Sequence, residues 1–372
     1  MSERIPVGIV GCGVIAKVYA EKIKSFPHLE LVACSDVVAE RATEFAADHE
    51  IPKALTTEQL LDDPEVQAVV NLTIPQAHVE VSAAAIAAGK SVYSEKPLGL
   101  ESVEAASLVT GADAAGVRLG CAPDTFMGAG YQTCRALIDD GAIGTPVAAT
   151  AFMQSPGPES WHPRPQIFYA KGGGPVFDMA PYYVTALVSL LGPVKRVASL
   201  AKATHKQRTI GSGPDAGQKV PVEVPTHVAG VLELGAPRKP TVIATMIMSF
   251  DIQASRHRWI EIHGTEATLA CPDPNTFGGR VQLFKRGERE WTEIPVERPH
   301  AVQSRGIGFA DMTWAMRSGR PHRASGEMAS HVVEVMQSLI DSAQKGRRLK
   351  MTSTCTRPAP IPADLPEDVF DD

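Results

Sequence analysis

The sequence predicts an α/β protein whose N-terminal domain is a doubly wound parallel sheet. Three observations point there. A glycine-rich turn, Gly11-Cys12-Gly13-Val14-Ile15-Ala16, follows a short apolar run directly and opens a helical stretch. Apolar β-type runs then alternate with helical segments as far as Cys121. The chain has 372 residues, room for two domains at about 150 residues each.

Taken in order, Ile5 to Val10 (IPVGIV) is the first strand. The turn after it has the pattern G-x-G-x-x-A. Gly11 permits the tight turn, Gly13 lets the backbone approach a pyrophosphate, and small Ala16 allows close helix–strand packing. Val14 and Ile15 complete the turn, and the helix runs on through Lys24. Its N-terminus offers N–H groups and a positive dipole end to phosphates. Leu29 to Ser35 (LELVACS) is a second strand and ends in Asp36, 23 residues after Gly13. That is close to the spacing of the acid that binds the adenosine ribose hydroxyls. An Asp repels a 2′-phosphate, so NAD is favoured over NADP; Arg41, one turn into the next helix, softens the preference.

Thr57 to Leu61 reads as a short helix and Val66 to Leu72 as a buried strand. Ala77 to Ala88 is an Ala-rich helix ended by Gly89. Ser91 to Ser94, Glu101 to Ala115 and Val117 to Cys121 follow as strand, helix and strand. This is the Rossmann arrangement, in which ligands sit at the carboxyl ends of the strands. Those ends carry Gly11–Ala16, Asp36, Thr73-Ile74-Pro75, Glu95-Lys96-Pro97 and Ala122-Pro123-Asp124.

Composition narrows the function. The chain is 44% hydrophobic and 21% charged, ordinary for a globular protein. A formal charge of −6 without a basic block argues against nucleic acid and anionic membrane. Six scattered cysteines with no CxxC pair argue against a zinc site or a disulfide frame, so no metal is expected. No apolar run approaches the roughly 18 residues of a membrane span. A strand pattern begins within five residues of the start, which leaves no room for a signal peptide. The expected location is cytoplasmic.

The glycine turn, then T-x-P-x-x-H (Thr73, Pro75, His78), then A-G-K-x-V-x-x-E-K-P (Ala88 to Pro97) together resemble the Gfo/Idh/MocA oxidoreductases, whose namesakes are glucose–fructose oxidoreductase and inositol dehydrogenase. The resemblance continues at Gly172 to Tyr182, similar to the family motif G-G-x-x-x-D-x-G-x-H, with Ala180 in place of Gly and Tyr182 in place of His. A strand pair, Ile243 to Phe250 and Trp259 to His263, also resembles the family's C-terminal sheet. The resemblance implies a second α/β domain with an open, mainly antiparallel sheet, a substrate held between the domains against the nicotinamide, NAD or NADP as cofactor, and a homodimer or homotetramer formed through that sheet. It also implies cofactor contacts from Thr73, Ile74, Glu95, Lys96 and Pro97, with His78 supporting the cofactor loop. The expected division is residues 1–124, 125–350 and a Pro- and acid-rich tail, 351–372, read as a solvated extension or an oligomer arm.

The second half carries its own signals. Gly128 to Gly141 is an amphipathic joining helix and Thr145 to Gln154 a strand. Ser155 to Gly174 is rich in Pro, Gly and aromatics and lacks a regular period. Loops of this length are usually functional, and this one is read as a substrate lid. Trp161 offers an apolar face for a sugar ring; His162, Arg164, Tyr169 and Lys171 add polar groups, the two cations suiting an anionic substituent. Phe177 to Leu191 is helical, with Pro181 expected in its first turn. Asp178 and Tyr182, four residues apart, project about 40° apart on one face. Arg305 and Asp311 are weaker candidates, in a Gly-containing stretch that could return toward the cleft, and His331 lies in a helix where a structural role is expected.

Oxidation of a secondary alcohol needs a hydride acceptor, a base for the hydroxyl proton and a charge that holds the alkoxide-like transition state. Lys96 suits the last role and donates to the substrate oxygen. A neighbouring ammonium favours the phenolate of Tyr182, which makes it a base or proton relay; Asp178 and Asp124 are expected to bind substrate. The leading expectation is an NAD-dependent oxidoreductase acting on a sugar, a sugar derivative or a cyclic polyol. Two alternatives share the same parts: a glycosidase that oxidises C3 transiently, eliminates and adds water, acting on an anionic glycoside; and a non-catalytic nucleotide sensor.

Overall fold

Six short apolar runs in the first 121 residues pair edge to edge as parallel strands, seen in the computed structural model, which describes residues 4–162, 164–235 and 241–371. The order along the chain is β1 (Ile5–Val10), α1 (Ala16–Lys24), β2 (Leu29–Ser35), α2 (Ala39–Asp48), β3 (Lys53–Leu55), α3 (Thr57–Asp62), β4 (Ala68–Asn71), α4 (His78–Ala87), β5 (Ser91–Ser94), α5 (Ser102–Ala115) and β6 (Leu119–Cys121). The sheet order is β3-β2-β1-β4-β5-β6, all parallel. The strand order reverses between β1 and β4, which opens a crevice at their carboxyl ends. Helices cover both faces, so the strands read as continuous apolar runs rather than alternating ones. Val7, Ile9, Val69, Val70 and Val92 have no exposure. Burial of such side chains stabilises by about 1.5–3 kcal/mol each. The three-residue strand β3 is too short to give a periodic signal in the sequence.

The chain continues with α6 (Ala129–Asp139), β7 (Pro146–Gln154), α7 (Gly174–Leu191), β8 (Val194–Lys202), the hairpin strands β9 (Gln207–Thr209) and β10 (Lys219–Pro221), β11 (His227–Leu234), β12 (Val242–Ser249), β13 (Ile260–Gly264), β14 (Ala267–Cys271), β15 (Val281–Lys285), β16 (Thr292–Ile294), α8 (Ile307–Ser318), α9 (Gly326–Lys345) and β17 (Leu349–Lys350). A nine-stranded sheet runs β16-β15-β14-β13-β7-β12-β11-β8-β17. It is antiparallel except for β7 and β12. The two strands expected as a pair are therefore not neighbours. β7 lies between β12 and β13, a non-local insertion that local periodicity does not encode. α7 packs against β7, β11 and β12.

Two units emerge from the packing. One comprises Met1–Ala129, Glu297–Ser330 and Pro358–Asp372; the other Gly130–Val296 and His331–Arg357. The contiguous division at residues 124 and 350 thus differs from the observed one. Residues 297–330, with α8, and the end of the chain return to the first unit. The tail is not a solvated extension. Phe370 is 2% exposed and stacks on Phe26 at 5.7 Å between ring centroids and on His300 at 6.5 Å. Arg323, itself buried, gives Nη1 to Asp311 Oδ1 at 2.6 Å, Nη2 to the Pro360 carbonyl at 3.0 Å and Nη2 to Asp371 Oδ1 at 2.5 Å. Asp311 has no exposure and also accepts from Arg320 at 2.7 Å, so it serves this ion-pair network rather than a cleft.

Pro181 corrects a second expectation. α7 begins at Gly174, with Gly173 as its N-cap and Pro175 in the first turn. Pro181 therefore sits inside the helix, where its missing N–H removes the intrahelical bond to the Phe177 carbonyl. Among the described residues, no helix is long and apolar enough to cross a membrane.

Candidate active site

In the first unit the carboxyl ends of β1, β2 and β4 form a cradle of the shape a dinucleotide needs. Gly11 has φ +100, and a Cβ there would meet the Leu72 carbonyl oxygen at 2.7 Å. Only glycine fits that turn. A Cβ on Gly13 would meet nothing within 4 Å, so open space lies over the second glycine, where a phosphate approaches. The first turn of α1 carries no acidic side chain and its N-cap, Ile15, makes no side-chain cap bond. The helix end thus keeps its positive character for an anion. Asp36 is largely buried and its carboxylate ties the cradle together. Oδ2 accepts from the Cys12 N–H at 2.9 Å, Oδ1 accepts from the Val38 N–H at 2.9 Å, and Arg41 Nη1 lies 3.8 Å from Oδ1. Asp36 does not cap α2, whose N-cap is Val38. Val14 (99% exposed), Val37 (96%) and Ile74 (64%) stand out as exposed apolar side chains at these strand ends. Such surface suits the flat faces of a nucleotide base.

Two loops at the next strand ends are tied by buried polar groups. Asn71, at the end of β4, accepts from Thr73 N–H at 3.2 Å and from Thr73 Oγ1 at 2.7 Å, while its Nδ2 donates to the His78 carbonyl at 3.0 Å. His78 is 1% exposed; Nδ1 lies 2.7 Å from the Pro97 carbonyl oxygen and Nε2 3.0 Å from that of Thr73. Its ring bridges the T-x-P and E-K-P loops, and burial pushes its pKa down. Glu95 accepts from the Tyr19 hydroxyl at 2.8 Å through Oε1 and from the Lys96 backbone N–H at 2.9 Å through Oε2. Asn71 and Tyr19 were not singled out from the sequence. A lone amide inside the apolar run VVNL was the available signal for the first.

Asp124 is placed differently from the expectation of a substrate contact. It is 1% exposed, and Oδ2 accepts from the Gly306 and Gly308 N–H groups at 2.8 and 3.0 Å. It anchors the start of α8, which the sequence reading had assigned to the other domain. Oδ1 has no hydrogen-bond partner among the described residues. Burial pushes the carboxyl up to about 6, against the pull of the two N–H bonds.

In the second unit residues 155–162 and 164–173 lie between β7 and α7 and carry two single turns, Pro158–Ser160 and Pro165–Phe168. Tyr169 turns inward rather than joining an exposed cluster. It has no exposure, and its hydroxyl donates to Glu159 Oε2 at 2.5 Å. Arg208 clamps the same carboxylate at 2.9 Å, pairs with Asp251 and lies 5.5 Å from the Tyr169 ring centroid. Trp161, by contrast, is 66% exposed and packs edge-on to His162 at 5.4 Å and to Phe168 at 6.4 Å. His162 Nδ1 accepts from the Arg164 N–H at 3.1 Å. Arg164 and Lys171 are exposed. The loop is therefore stapled at its base and presents its aromatic tip. On α7, Asp178 is half-buried and Tyr182 is 7% exposed, one turn apart on the same helix face. His331, as expected, is structural. Its Nε2 accepts from the Val194 N–H at 3.0 Å and its Nδ1 donates to Ser353 Oγ at 2.8 Å.

The residues present fit NAD: a glycine turn that excludes a Cβ, open space above Gly13, an uncapped helix start and a carboxylate at the end of β2. Comparison with known proteins agrees. Residues 5–122 match the oxidoreductase family model with an NAD-binding Rossmann fold, and residues 131–270 match the GFO/IDH/MocA C-terminal domain model. A 1,5-anhydro-D-fructose reductase of Ensifer adhaerens is 30% identical over 267 residues, 70% of this chain and 74% of that protein. A trans-1,2-dihydrobenzene-1,2-diol dehydrogenase of Bos taurus is 28% identical over 347 residues, 92% of this chain and 95% of that one. Among solved structures, a levoglucosan dehydrogenase in complex with NADH superposes with a TM-score of 0.79 at 18% identity, covering 94% of this chain and all of that one, a likeness of fold. By cradle, topology and sequence, this chain belongs to the Gfo/Idh/MocA family of NAD-binding oxidoreductases.

Proposed function

We propose that this enzyme transfers hydride between NAD and a secondary hydroxyl, or the corresponding carbonyl, of a sugar, a sugar derivative or a cyclic polyol. The observation that carries the reading is the E-K-P loop, where Glu95 pins the Lys96 backbone at the end of β5. When bound, NAD supplies the hydride acceptor. Gly11, Gly13, Val14, Ile15, Asp36, Thr73 and Ile74 hold the cofactor in this reading. Lys96 donates to the substrate oxygen and stabilises negative charge as it develops there. Tyr182 takes the hydroxyl proton, and Asp178 binds a second hydroxyl. Trp161 covers the ring in this reading, and the exposed Arg164 and Lys171 meet an anionic substituent. The names of the two relatives, an anhydro-sugar reductase and a cyclic diol dehydrogenase, support that substrate class.

The test is a panel: NAD with myo-inositol, D-glucose, trans-1,2-dihydrobenzene-1,2-diol and aryl glycosides, and NADH with 1,5-anhydro-D-fructose, following NADH and released phenol together. Stoichiometric change in NADH supports the reading. Phenol without net NADH replaces it with a redox glycosidase, and NAD binding without turnover replaces it with a sensor.

The second unit's sheet supports a homodimer or homotetramer. Leu200, Val231 and Ile243 are 76%, 44% and 48% exposed, and the strand registers put them on one face with Ala198, Ala229 and Ile247. Sedimentation of Val231→Glu should show a smaller species than the native protein; an unchanged native monomer would remove this face from assembly. The thiols of Cys12, Cys34, Cys121, Cys134 and Cys271, none in a disulfide among the described residues, support a reducing, cytoplasmic location.

A further inference from the structure

Three buried groups in the first unit have no role in the chemistry so far: Tyr19, Tyr93 and the Asp124–α8 junction. The first is connected to the proposed chemistry by a chain of two hydrogen bonds. Tyr19 lies on α1, one turn beyond the glycine turn, and has no exposure. Its ring is wedged beside Gly306, where a Cβ would lie 3.5 Å from Tyr19 Cδ1. Its hydroxyl is the donor to Glu95 Oε1 at 2.8 Å. The other oxygen of the same carboxylate accepts from the Lys96 N–H at 2.9 Å. A carboxylate held at both oxygens has little freedom to rotate, and bonds to a charged acceptor are the stronger kind.

We propose that Tyr19 is a positioning residue for hydride transfer: its phenol fixes Glu95, and Glu95 fixes the backbone of Lys96, so the lysine is set from the same helix whose N-terminus receives the cofactor phosphates. This rests on the reading that Lys96 acts on the substrate oxygen. Tyr19 touches neither substrate nor cofactor in this scheme. It acts by holding one residue that holds another. His78 ties the far side of the same loop through the Pro97 carbonyl, so the loop is held from α1 on one side and from α4 on the other. A donor that rides on α1 links two requirements: phosphate seating at the helix start and lysine placement at the end of β5. A misplacement of a reacting group on the order of 1 Å costs about a hundredfold in rate, so a hydroxyl that prevents it has a measurable effect.

The test removes the hydroxyl and keeps the ring. In Tyr19→Phe, site-resolved hydrogen exchange of the full-length protein should show the Lys96 amide exchanging about tenfold faster, with the Val92 amide, bonded to the Arg118 carbonyl, unchanged. With the compound turned over best in the panel above, kcat should fall about tenfold while KM for NAD moves less than about threefold. Glu95→Ala should produce both effects, and Tyr19→Phe added to it should lower kcat by less than about twofold further, because the two residues act in series. Tyr19→Met, an apolar filler without a donor, takes the place of the phenylalanine variant if that one does not fold. Native exchange at Lys96, or faster exchange with native kcat, would overturn the proposal, as would full additivity with Glu95→Ala. A Lys96→Ala variant with native single-turnover rate would overturn the reading beneath it. The exchange measurement separates the two failures, since it reports the Tyr19–Glu95–Lys96 linkage whether or not the lysine reacts.

Discussion

Asp124→Asn gives a perturbation whose size follows from the structure. The carboxyl is buried, one oxygen serves two backbone N–H groups at the start of α8, and the other has no partner among the described residues. Burial pushes it from 3.8 up to about 6. The folded protein therefore binds this proton more tightly than the unfolded chain does. The associated stability is fully present below the unfolded value and is lost as pH rises through about 6. The full loss corresponds to about 3 kcal/mol, of which about 1.4 kcal/mol falls between pH 5 and pH 8. Asparagine keeps an acceptor oxygen for the two N–H groups and never ionises. Urea unfolding of both proteins at pH 5 and pH 8 should show the variant gaining about 1.4 kcal/mol relative to the native protein across that interval, with every other titrating group cancelling in the difference. A difference that stays constant, or one that favours the native protein as pH rises, would refute the account of a carboxyl held against its charge.

Further outcomes follow from other buried groups. Burial holds His28, His300 and His331 down at about 4, so the stability they contribute above pH 6.5 is lost as pH falls toward 4, about 3 kcal/mol for each. Melting followed by circular dichroism should drop steeply below pH 6, and His331→Gln should remove about 3 kcal/mol of the acid-side loss. Asp311→Asn removes the fully buried charge that faces Arg323 and Arg320, and should cost about 3–5 kcal/mol in unfolding experiments. Arg208→Met leaves Glu159 and Asp251 without their shared cation. Limited proteolysis should then cut the 155–173 segment about tenfold faster, with the rest of the second unit protected.

How much of this was legible depended on whether the determining forces were local. The parallel strands of the first unit are buried on both faces, so β1, β2, β4 and β5 appear as bare apolar runs closed by turn residues, and their boundaries differ from the sequence reading by at most two residues at either end. Gly11 was legible because backbone geometry restricts that position to glycine. Asp36 was legible from its spacing, although its two backbone partners were not. What local pattern could not carry was long-range pairing. The insertion of β7 between β12 and β13, the return of residues 297–330 to the first unit and the docking of Phe370 against Phe26 join segments far apart in the chain. The helical period of α7 could not place its start, since Gly172 to Pro175 look like loop residues, and Pro181 was consequently assigned one turn too early. Asp124 looked like a ligand at a strand end because its true partners, the N–H groups of Gly306 and Gly308, belong to a distant backbone.

The proposed chemistry rests on Tyr182 taking the proton that leaves the hydroxyl while Lys96 holds the negative charge that develops on the oxygen. Single-turnover formation of NADH, with enzyme and NAD in excess over the substrate identified in the panel, measures that step before product release. Lys96→Ala and Tyr182→Phe should each slow it by about a hundredfold or more, with NAD binding retained. Near-native single-turnover rates in both variants would contradict the account.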